Sequence, residues 1–252
     1  MSFSNAALIA LYYGLYASQP LILIMGPSNF GAIIGLILGA IMHDPQTGVI
    51  VGAWIQIMYL GMVNYGGTKP SDQFAASIIS IPIAIQTHLN IPTAMVLAAF
   101  FGAISFPLDK TWKKVNTNFW TPRVDRFVEE LNLGAIFRNA TIYPMFTRLA
   151  LSFPLVVAIL MTGTPLFKWI RETSPIFLQT TLINMGSVIP LLGFALFLVS
   201  IGRRNQIPFF VLGFVFILLF NSSILIVWLL GVSAVGVSHF WNFARKKRLI
   251  AP

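Results

Sequence analysis

The 252-residue sequence has no cysteine, and Asp, Glu, Lys and Arg together make up only 9% of it. The missing thiols exclude disulfides, thiolate metal sites, iron–sulfur clusters and a cysteine phosphocarrier. Soluble domains carry roughly 25% charged residues, whereas 57% of this chain is hydrophobic. The composition therefore argues against a soluble domain and predicts an all-α integral membrane protein with several spans.

Acidic residues are scarce, with 7 Asp and Glu against 16 Lys and Arg, so the formal net charge is +9. In a soluble protein this excess would suggest nucleic-acid binding. In a membrane protein the positive-inside rule explains it, because basic residues collect in cytoplasmic loops. We expect no nucleic-acid partner. The opening residues, MSFSNAALIALYYGLY, lack a basic region and a small-residue cleavage site, so we expect the first helix there.

Nine apolar stretches follow one another along the chain, and several of them are short. They cover residues 6–25, 30–43, 48–64, 74–87, 90–107, 145–166, 175–201, 207–220 and 224–241. A helix of about 14 residues reaches only ~21 Å, less than the ~30 Å hydrocarbon core. The pattern therefore predicts a multi-span bundle with broken helices or re-entrant hairpins. In transporters such interruptions mark the substrate site.

The segment from Leu108 to Arg138 differs from the rest, because basic and aromatic residues alternate along it at roughly helical spacing. This pattern is typical of an amphipathic element at the membrane interface, and Pro122 is expected to divide it. The alternatives are an ordinary cytoplasmic connector and a docking surface for a soluble partner. We therefore divide the chain into an N-terminal membrane part, 1–107, a cytoplasmic connector, 108–144, and a C-terminal membrane part, 145–252.

Two basic clusters orient the last part of the chain. Arg203 and Arg204 precede one apolar stretch, and RKKR at 245–248 follows it. If both clusters are cytoplasmic, the stretch between them crosses an even number of times. We predict a second hairpin whose polar tip begins at Asn221.

The stretch from Gly52 to Gln73, GAWIQIMYLGMVNYGGTKPSDQ, begins as apolar sequence and then turns polar. A polar side chain at bilayer depth is costly, and it normally faces the bundle interior or a cavity. At helical spacing Tyr59 is a same-face neighbour of Gln56, and Asn64 lies about two turns further along. The side chains of Gln56, Tyr59 and Asn64 are therefore expected to lie on or near one face of the helix.

The two glycines at 66 and 67 end this helix, and the loop after them returns Lys69 and Asp72 to its polar end. A neutral sugar needs several directed hydrogen bonds and an apolar or aromatic face, and amides both donate and accept. A polar turn between two spans would explain the loop, but it explains Gln56 and Asn64 less well. We predict a sugar site here, with contacts from Gln56, Asn64, Lys69, Asp72 and Tyr59.

The stretch from Asp44 to Ser80 resembles the membrane C subunit, enzyme IIC, of the mannose–fructose–sorbose family of the bacterial phosphotransferase system. Later stretches also resemble this family, namely LINMGSVIPLLGFA and PFFVLGF with its following asparagine. From these the resemblance adds Asn184 and Asn221 as candidate substrate residues. The residues that carry the first resemblance are Asp44, Thr47, Gly48, Gly52, Gln56, Leu60, Gly61, Pro70 and Asp72.

The resemblance implies a sugar permease of the bacterial cytoplasmic membrane with an elevator-type core moving against a scaffold. It implies a D subunit as membrane partner, in a trimer of C–D pairs, and soluble A and B components that carry phosphate from phosphoenolpyruvate. The C subunit carries no phosphohistidine. We therefore expect no catalytic residue, no metal and no cofactor, and we place His43, His88 and His239 at helix ends.

The sequence departs from this family at two points. Many mannose-type members have Glu where Gln56 stands, and an Arg-Pro pair ahead of the second helix is absent, with GPSNFG in that region. The Gln form resembles the N-acetylgalactosamine branch, which is our substrate prediction, with mannose or glucosamine as the alternative. An ion-coupled secondary transporter and a membrane receptor without transport are the other hypotheses.

Overall fold

The structure, a computed structural model, describes residues 1–18, 30–62, 71–203, 206–221 and 223–236. Within these ranges all regular elements are helical, and the chain divides into two compact units, 1–200 and 201–252. In chain order the helices are α1 (Phe3–Ser18), α2 (Gly31–Ile41), α3 (Pro45–Met58), α4 (Gln73–Thr87), α5 (Ile91–Val115), α6 (Thr121–Glu129), α7 (Leu133–Phe137), α8 (Tyr143–Thr173), α9 (Ile176–Ile201), α10 (Ile207–Phe220) and α11 (Ile224–Gly236).

Three helical runs in the described ranges are long and apolar enough to cross a bilayer. They are Ile91–Glu129, Leu133–Thr173 and Ile176–Ser200. A π-helical turn, Asn116–Trp120, joins α5 to α6, and a second one, Arg138–Ile142, joins α7 to α8. The prediction of an all-α, multi-span membrane protein is confirmed.

Pro122 lies in the first turn of α6, directly after a π-helical turn, so the helical path continues through it. Proline has no N–H to donate, and the π-helical turn before it already interrupts the regular i→i−4 bonding at this position. No residue of α6 is buried, and the Arg123 guanidinium lies 3.9 Å from the centre of the Phe119 ring. The basic segment is thus an exposed helical continuation of α5. The predicted division into 1–107, 108–144 and 145–252 stays a prediction.

Helices α2 and α3 form a tight antiparallel hairpin. Their lengths of 11 and 14 residues correspond to about 17 and 21 Å, too short to span the bilayer. Glycines line the contact: a Cβ on Gly48 would lie 2.8 Å from Cα of Gly39. The turn is closed by Asp44, whose Oδ1 accepts a hydrogen bond from the Thr47 N–H at 3.1 Å. The predicted short, interrupted helices are therefore present.

Helix α4 is the centre of the first unit, and nearly all its residues are buried. Phe74 in its first turn is fully buried, and its ring stacks on Tyr16 of α1 with centroids 3.5 Å apart. α1 packs against α8, and α4 packs against α5. This packing holds the first residues of α4 at a defined position.

Helix α9 meets the rest of the first unit through its glycines. Gly186 lies against the backbone of Pro92, at the start of α5, and a Cβ on Gly193 would lie 2.5 Å from the Ile57 carbonyl oxygen of α3. Most other α9 side chains are exposed. The glycine spacing noted in the sequence therefore lets α9 cross close to two other helices.

The second unit contains α10 and α11. The break between them falls at Asn221, which has left-handed backbone angles (φ 45°) and ends α10. Gly213 of α10 lies against Val227 of α11, because a Cβ on this glycine would be 3.8 Å from Val227 Cγ1. The predicted second hairpin, like the division of the chain, stays a prediction. Arg204 and the basic residues 245–248 lie outside the described residues.

Candidate functional site

The start of α4 brings backbone and side-chain polar groups together. Asp72 is the N-cap of this helix, and its Oδ1 accepts a hydrogen bond from the Phe74 N–H at 3.0 Å. The Asp72 N–H donates to Ser105 Oγ at 3.3 Å, so α5 also holds it. In the described part of the chain these bonds use only one carboxylate oxygen. The other remains available to accept a hydrogen bond.

Two glutamine side chains meet beside this helix start. The Gln56 Oε1 accepts a hydrogen bond from the Ala32 N–H at 3.3 Å, in the first turn of α2. Gly31 makes this approach possible, because a Cβ there would lie 3.0 Å from both Gln56 Cβ and Gln73 Nε2. The Gln73 Nε2 is buried and has no hydrogen-bond partner among the described residues.

These two amides offer donors at one place. The Gln56 oxygen is occupied by α2, so its NH₂ group is the part left to bind a ligand. The unpaired NH₂ group of Gln73 lies against the same glycine, Gly31, as the Cβ of Gln56. Since a buried donor without a partner costs free energy, a ligand oxygen that accepts from Gln73 would be favoured there.

Tyr59, at the end of α3, is only 6% exposed. Its hydroxyl is 2.7 Å from Ser71 Oγ. Gly102 of α5 leaves the space for this pair, because a Cβ there would lie 2.7 Å from Ser71 Oγ. In this structure the Tyr59 hydroxyl contacts Ser71, the residue before Asp72. The Tyr59 ring is buried, so it does not present an open aromatic face.

A cavity of about 190 Å³ opens on the other side of Asp72. It combines two carboxylates, a guanidinium, hydroxyls and two aromatic side chains, which are the groups that bind the polar edge and the C–H face of a sugar. Its lining residues are Tyr13, Asp72, Ser105, Leu108, Asp109, Thr111, Trp112, Val115, Arg148, Leu151, Ser152 and Leu155.

An ion-pair network forms one wall of this cavity. Asp109 of α5 pairs with Arg148 of α8 at 3.0 Å and with Lys113, one turn further along α5, at 2.9 Å. The Arg148 guanidinium also lies 5.6 Å from the centre of the Trp112 ring. Asp109 is about 27 Å along the helical run from Ile91. The network therefore lies near the interface, at the end that carries the basic segment.

The structure brings together only part of the predicted set. Gln56, Tyr59 and Asp72 surround the start of α4, as described above. Asn184 is exposed on α9, and Asn221 belongs to the second unit. Asn64 and Lys69 lie outside the described residues. Among the predicted histidines, His43 and His88 are exposed in turns between helices, while His239 also lies outside.

Sequence reasoning did not single out several residues of this site. Gln73 follows the capping Asp72 directly, and its amide was a usable signal. Asp109 and Arg148 are charged residues within or beside apolar stretches, a feature that indicates function in membrane proteins. Neither position reveals that the two residues pair, because 39 positions separate them. The other missed lining residues with polar or aromatic groups are Tyr13, Ser105, Thr111, Trp112 and Ser152.

Comparisons with known proteins agree on one family. A family model described as "PTS system sorbose-specific iic component" matches residues 3–237. The sorbose-specific EIIC component of Lacticaseibacillus casei is 28% identical over 184 residues, which cover 73% of this chain and 65% of that protein. The mannose-specific EIIC component of Escherichia coli K12 is 26% identical, covering 79% of this chain and 73% of that protein.

A third relative is the N-acetylgalactosamine permease IIC component 1 of Escherichia coli K12, 25% identical over 213 residues that cover 83% of this chain and 78% of that protein. Two solved structures share the fold. One, titled as a membrane protein, has a TM-score of 0.76 at 22% identity over 96% of this chain and 94% of its own. The other, a mannose transporter with microcin E492, has a TM-score of 0.56 at 24% identity, covering 95% and 94%.

Proposed function

Because the chain belongs to the sorbose-type IIC family of the sugar phosphotransferase system, we propose that it carries a sugar across the cytoplasmic membrane for phosphorylation by soluble components. The observation that carries this proposal within the structure is the position of Asp72. It caps the central helix and lines the cavity that holds Trp112, Tyr13 and Arg148. A carboxylate beside aromatic rings suits a neutral polyhydroxyl ligand.

The location of this cavity agrees with delivery to a soluble phosphate donor. It lies at the end of α5 and α8 that carries the basic segment, which the positive-inside rule predicts to be cytoplasmic. A sugar bound there is close to the side on which phosphate is transferred. The family resemblance supplies the partners: soluble A and B components and a membrane D subunit, arranged as a trimer of C–D pairs. It also supplies an elevator-type movement of a core against a scaffold.

We propose N-acetylgalactosamine as the sugar, with mannose or glucosamine as the alternative. The side chains of Gln56 and Gln73 both lie against Gly31, and each amide has an NH₂ group that can donate. An acetamido substituent offers a carbonyl oxygen that accepts from such donors. One relative is a permease component for this sugar, while other relatives are named for sorbose, mannose and fructose.

The test uses membrane vesicles that contain this chain, its D partner and the soluble phosphate relay. Labelled N-acetylgalactosamine, mannose, glucosamine, sorbose and fructose are offered with and without phosphoenolpyruvate. We expect N-acetylgalactosamine to be recovered as its phosphate only when phosphoenolpyruvate is present. Recovery of a different phosphorylated sugar would correct the substrate alone, whereas unmodified sugar accumulated with an ion gradient would overturn the proposed function.

Asp72→Asn tests the site within the same assay. Asparagine caps helices about as well as aspartate, so α4 should fold, but the charged acceptor is lost. Hydrogen bonds to charged groups are worth about 1.5–3 kcal/mol, so uptake should fall about tenfold or more. Asp125→Asn, an exposed carboxylate on α6, is the matched control and should transport normally. Normal transport by Asp72→Asn would remove Asp72 from the site.

An ion-coupled secondary transporter is the second candidate, because Asp109 is an ionisable residue in a long membrane helix. Such residues bind coupling ions in many transporters. In this structure, however, Asp109 is paired with two cations and lies near the interface. The arm of the vesicle assay without phosphoenolpyruvate separates the two candidates.

A further inference from the structure

A larger cavity, of about 490 Å³, lies at the opposite end of α5 and α8 from the basic segment. Three elements of the first unit form its walls: the start of α5 with the turn before it, the end of α8 and the start of α9. Its lining residues are His88, Leu89, Asn90, Thr93, Val96, Leu97, Phe100, Phe167, Ile170, Arg171, Ser174, Gln179, Leu182 and Ile183.

Polar and apolar residues are separated along the length of this cavity. On α5 the polar Asn90 and Thr93 come first, and Phe100 lies about 15 Å further along the helix axis. On α8 the order is reversed, because Phe167 precedes Arg171 near the end of that helix. All polar side chains thus lie at the membrane surface, and the apolar walls extend toward the bilayer centre. An amphiphile aligned with the helices matches this order.

The polar end of the cavity favours an anion. Arg171 donates one hydrogen bond to the Thr87 carbonyl oxygen, and none of the ion pairs found in the described ranges includes Arg171. Among the described residues, no carboxylate lines this cavity. Since a guanidinium has five N–H donors in a planar fork, Arg171 keeps donors for a phosphate.

A second polar group at this end is the Ser174 hydroxyl. The Ser174 Oγ is buried and has no hydrogen-bond partner among the described residues, although most buried polar atoms have one. Helix α5 begins here, so the positive end of its dipole faces the same place. The Arg171 guanidinium, the Ser174 hydroxyl and the dipole of α5 therefore all favour a phosphate group at this end.

We propose that this cavity binds an anionic phospholipid of the bilayer, with its phosphate at Arg171 and Ser174. An acyl chain lies along the groove between α5 and α9, against Phe100 and Leu182. If the basic segment is cytoplasmic, the lipid belongs to the opposite leaflet. This site is separate from the sugar cavity, which lies at the other end of α5. A lipid here would hold the ends of α8 and α9 against the start of α5.

The test is native mass spectrometry of the full chain, released from nanodiscs that contain equal amounts of phosphatidylglycerol, phosphatidylethanolamine and phosphatidylcholine. We expect the wild type to retain phosphatidylglycerol preferentially. Arg171→Gln should retain at least about tenfold less, because it loses direct charge-assisted hydrogen bonds to the phosphate, which Lys168, outside the cavity lining, does not make. Lys168→Gln removes an exposed cation from the same helix end and should retain as much as the wild type.

Thr93→Glu provides an independent variant. A carboxylate in the first turn of α5 suits the helix dipole, so the variant should fold, yet it repels a phosphate at the polar end. We expect its phosphatidylglycerol retention to fall as well. Equal retention by wild type, Arg171→Gln and Thr93→Glu would overturn the proposal, and so would an equal loss in Lys168→Gln. Displacement of the lipid by millimolar inorganic phosphate would also overturn it, because it would indicate a site for free anions.

Discussion

At the scale of the residue, Gln56 and Gln73 differ in the hydrogen bonds that they make. The Gln56 oxygen caps the first turn of α2, so this side chain has both a structural bond and a free NH₂ group. Gln73 has no such bond in the described ranges, and its NH₂ group lies beside Gly31. A ligand oxygen therefore gains more from Gln73, while replacement of Gln56 also disturbs the end of a helix.

Gln56→Ala tests the contribution of the first amide. The variant loses the bond to the Ala32 N–H and the free NH₂ donor, so sugar uptake in vesicles should fall about fivefold to tenfold. Gln86→Ala is the control, since Gln86 is an exposed glutamine on α4 away from this site. Uptake by Gln56→Ala at the Gln86→Ala rate would contradict the assignment.

At the scale of the element, the glycine-lined hairpin of α2 and α3 decides where Gln56 lies. Small residues let two helices approach closely in a membrane, where packing replaces the hydrophobic effect as the driving force. The closest neighbours of a side chain at Gly48 would be backbone atoms of Gly35 and Gly39. Backbone cannot rotate away, so any larger residue must separate the helices.

We expect Gly48→Val to lower the stability of the protein by about 1–3 kcal/mol, the usual cost of overpacking. The measurement is the temperature at which the detergent-purified protein unfolds, compared with wild type. Gly231→Val is the control, because in the described part of the chain no atom beyond its own helical turn lies within 4 Å of a Cβ built there. Equal unfolding temperatures for the two variants would show that the hairpin tolerates wider spacing.

At the scale of the whole molecule, the two ends of the first unit differ in chemistry. One end has the basic segment and the cavity with Asp72, and the other has the lipid-type groove with Arg171. The long runs Ile91–Glu129 and Leu133–Thr173 connect these ends. The orientation of these runs in the membrane therefore decides which cavity faces the soluble phosphate donor.

The absence of cysteine from the sequence makes this orientation measurable. Asp125→Cys on α6 and Glu172→Cys at the end of α8 replace exposed residues at opposite ends. A membrane-impermeant maleimide should label Glu172→Cys in intact cells and Asp125→Cys only in inside-out vesicles, as the positive-inside rule predicts. The unchanged protein is the blank, and the reverse labelling pattern would place the basic segment outside.

Composition and local chemistry were enough to determine the membrane class and the short, broken helices, and they indicated the break at Asn221, where α10 ends. These features depend on hydropathy, helix length and capping, which act over a few neighbouring residues. The sequence likewise indicated Gln56 and Asp72, because each is a polar residue that interrupts or ends an apolar run. Only the tertiary structure decided which residues meet. It paired Asp109 with Arg148, buried Tyr59 and placed Gln73 beside Gln56, since burial and pairing depend on helices far apart in the chain.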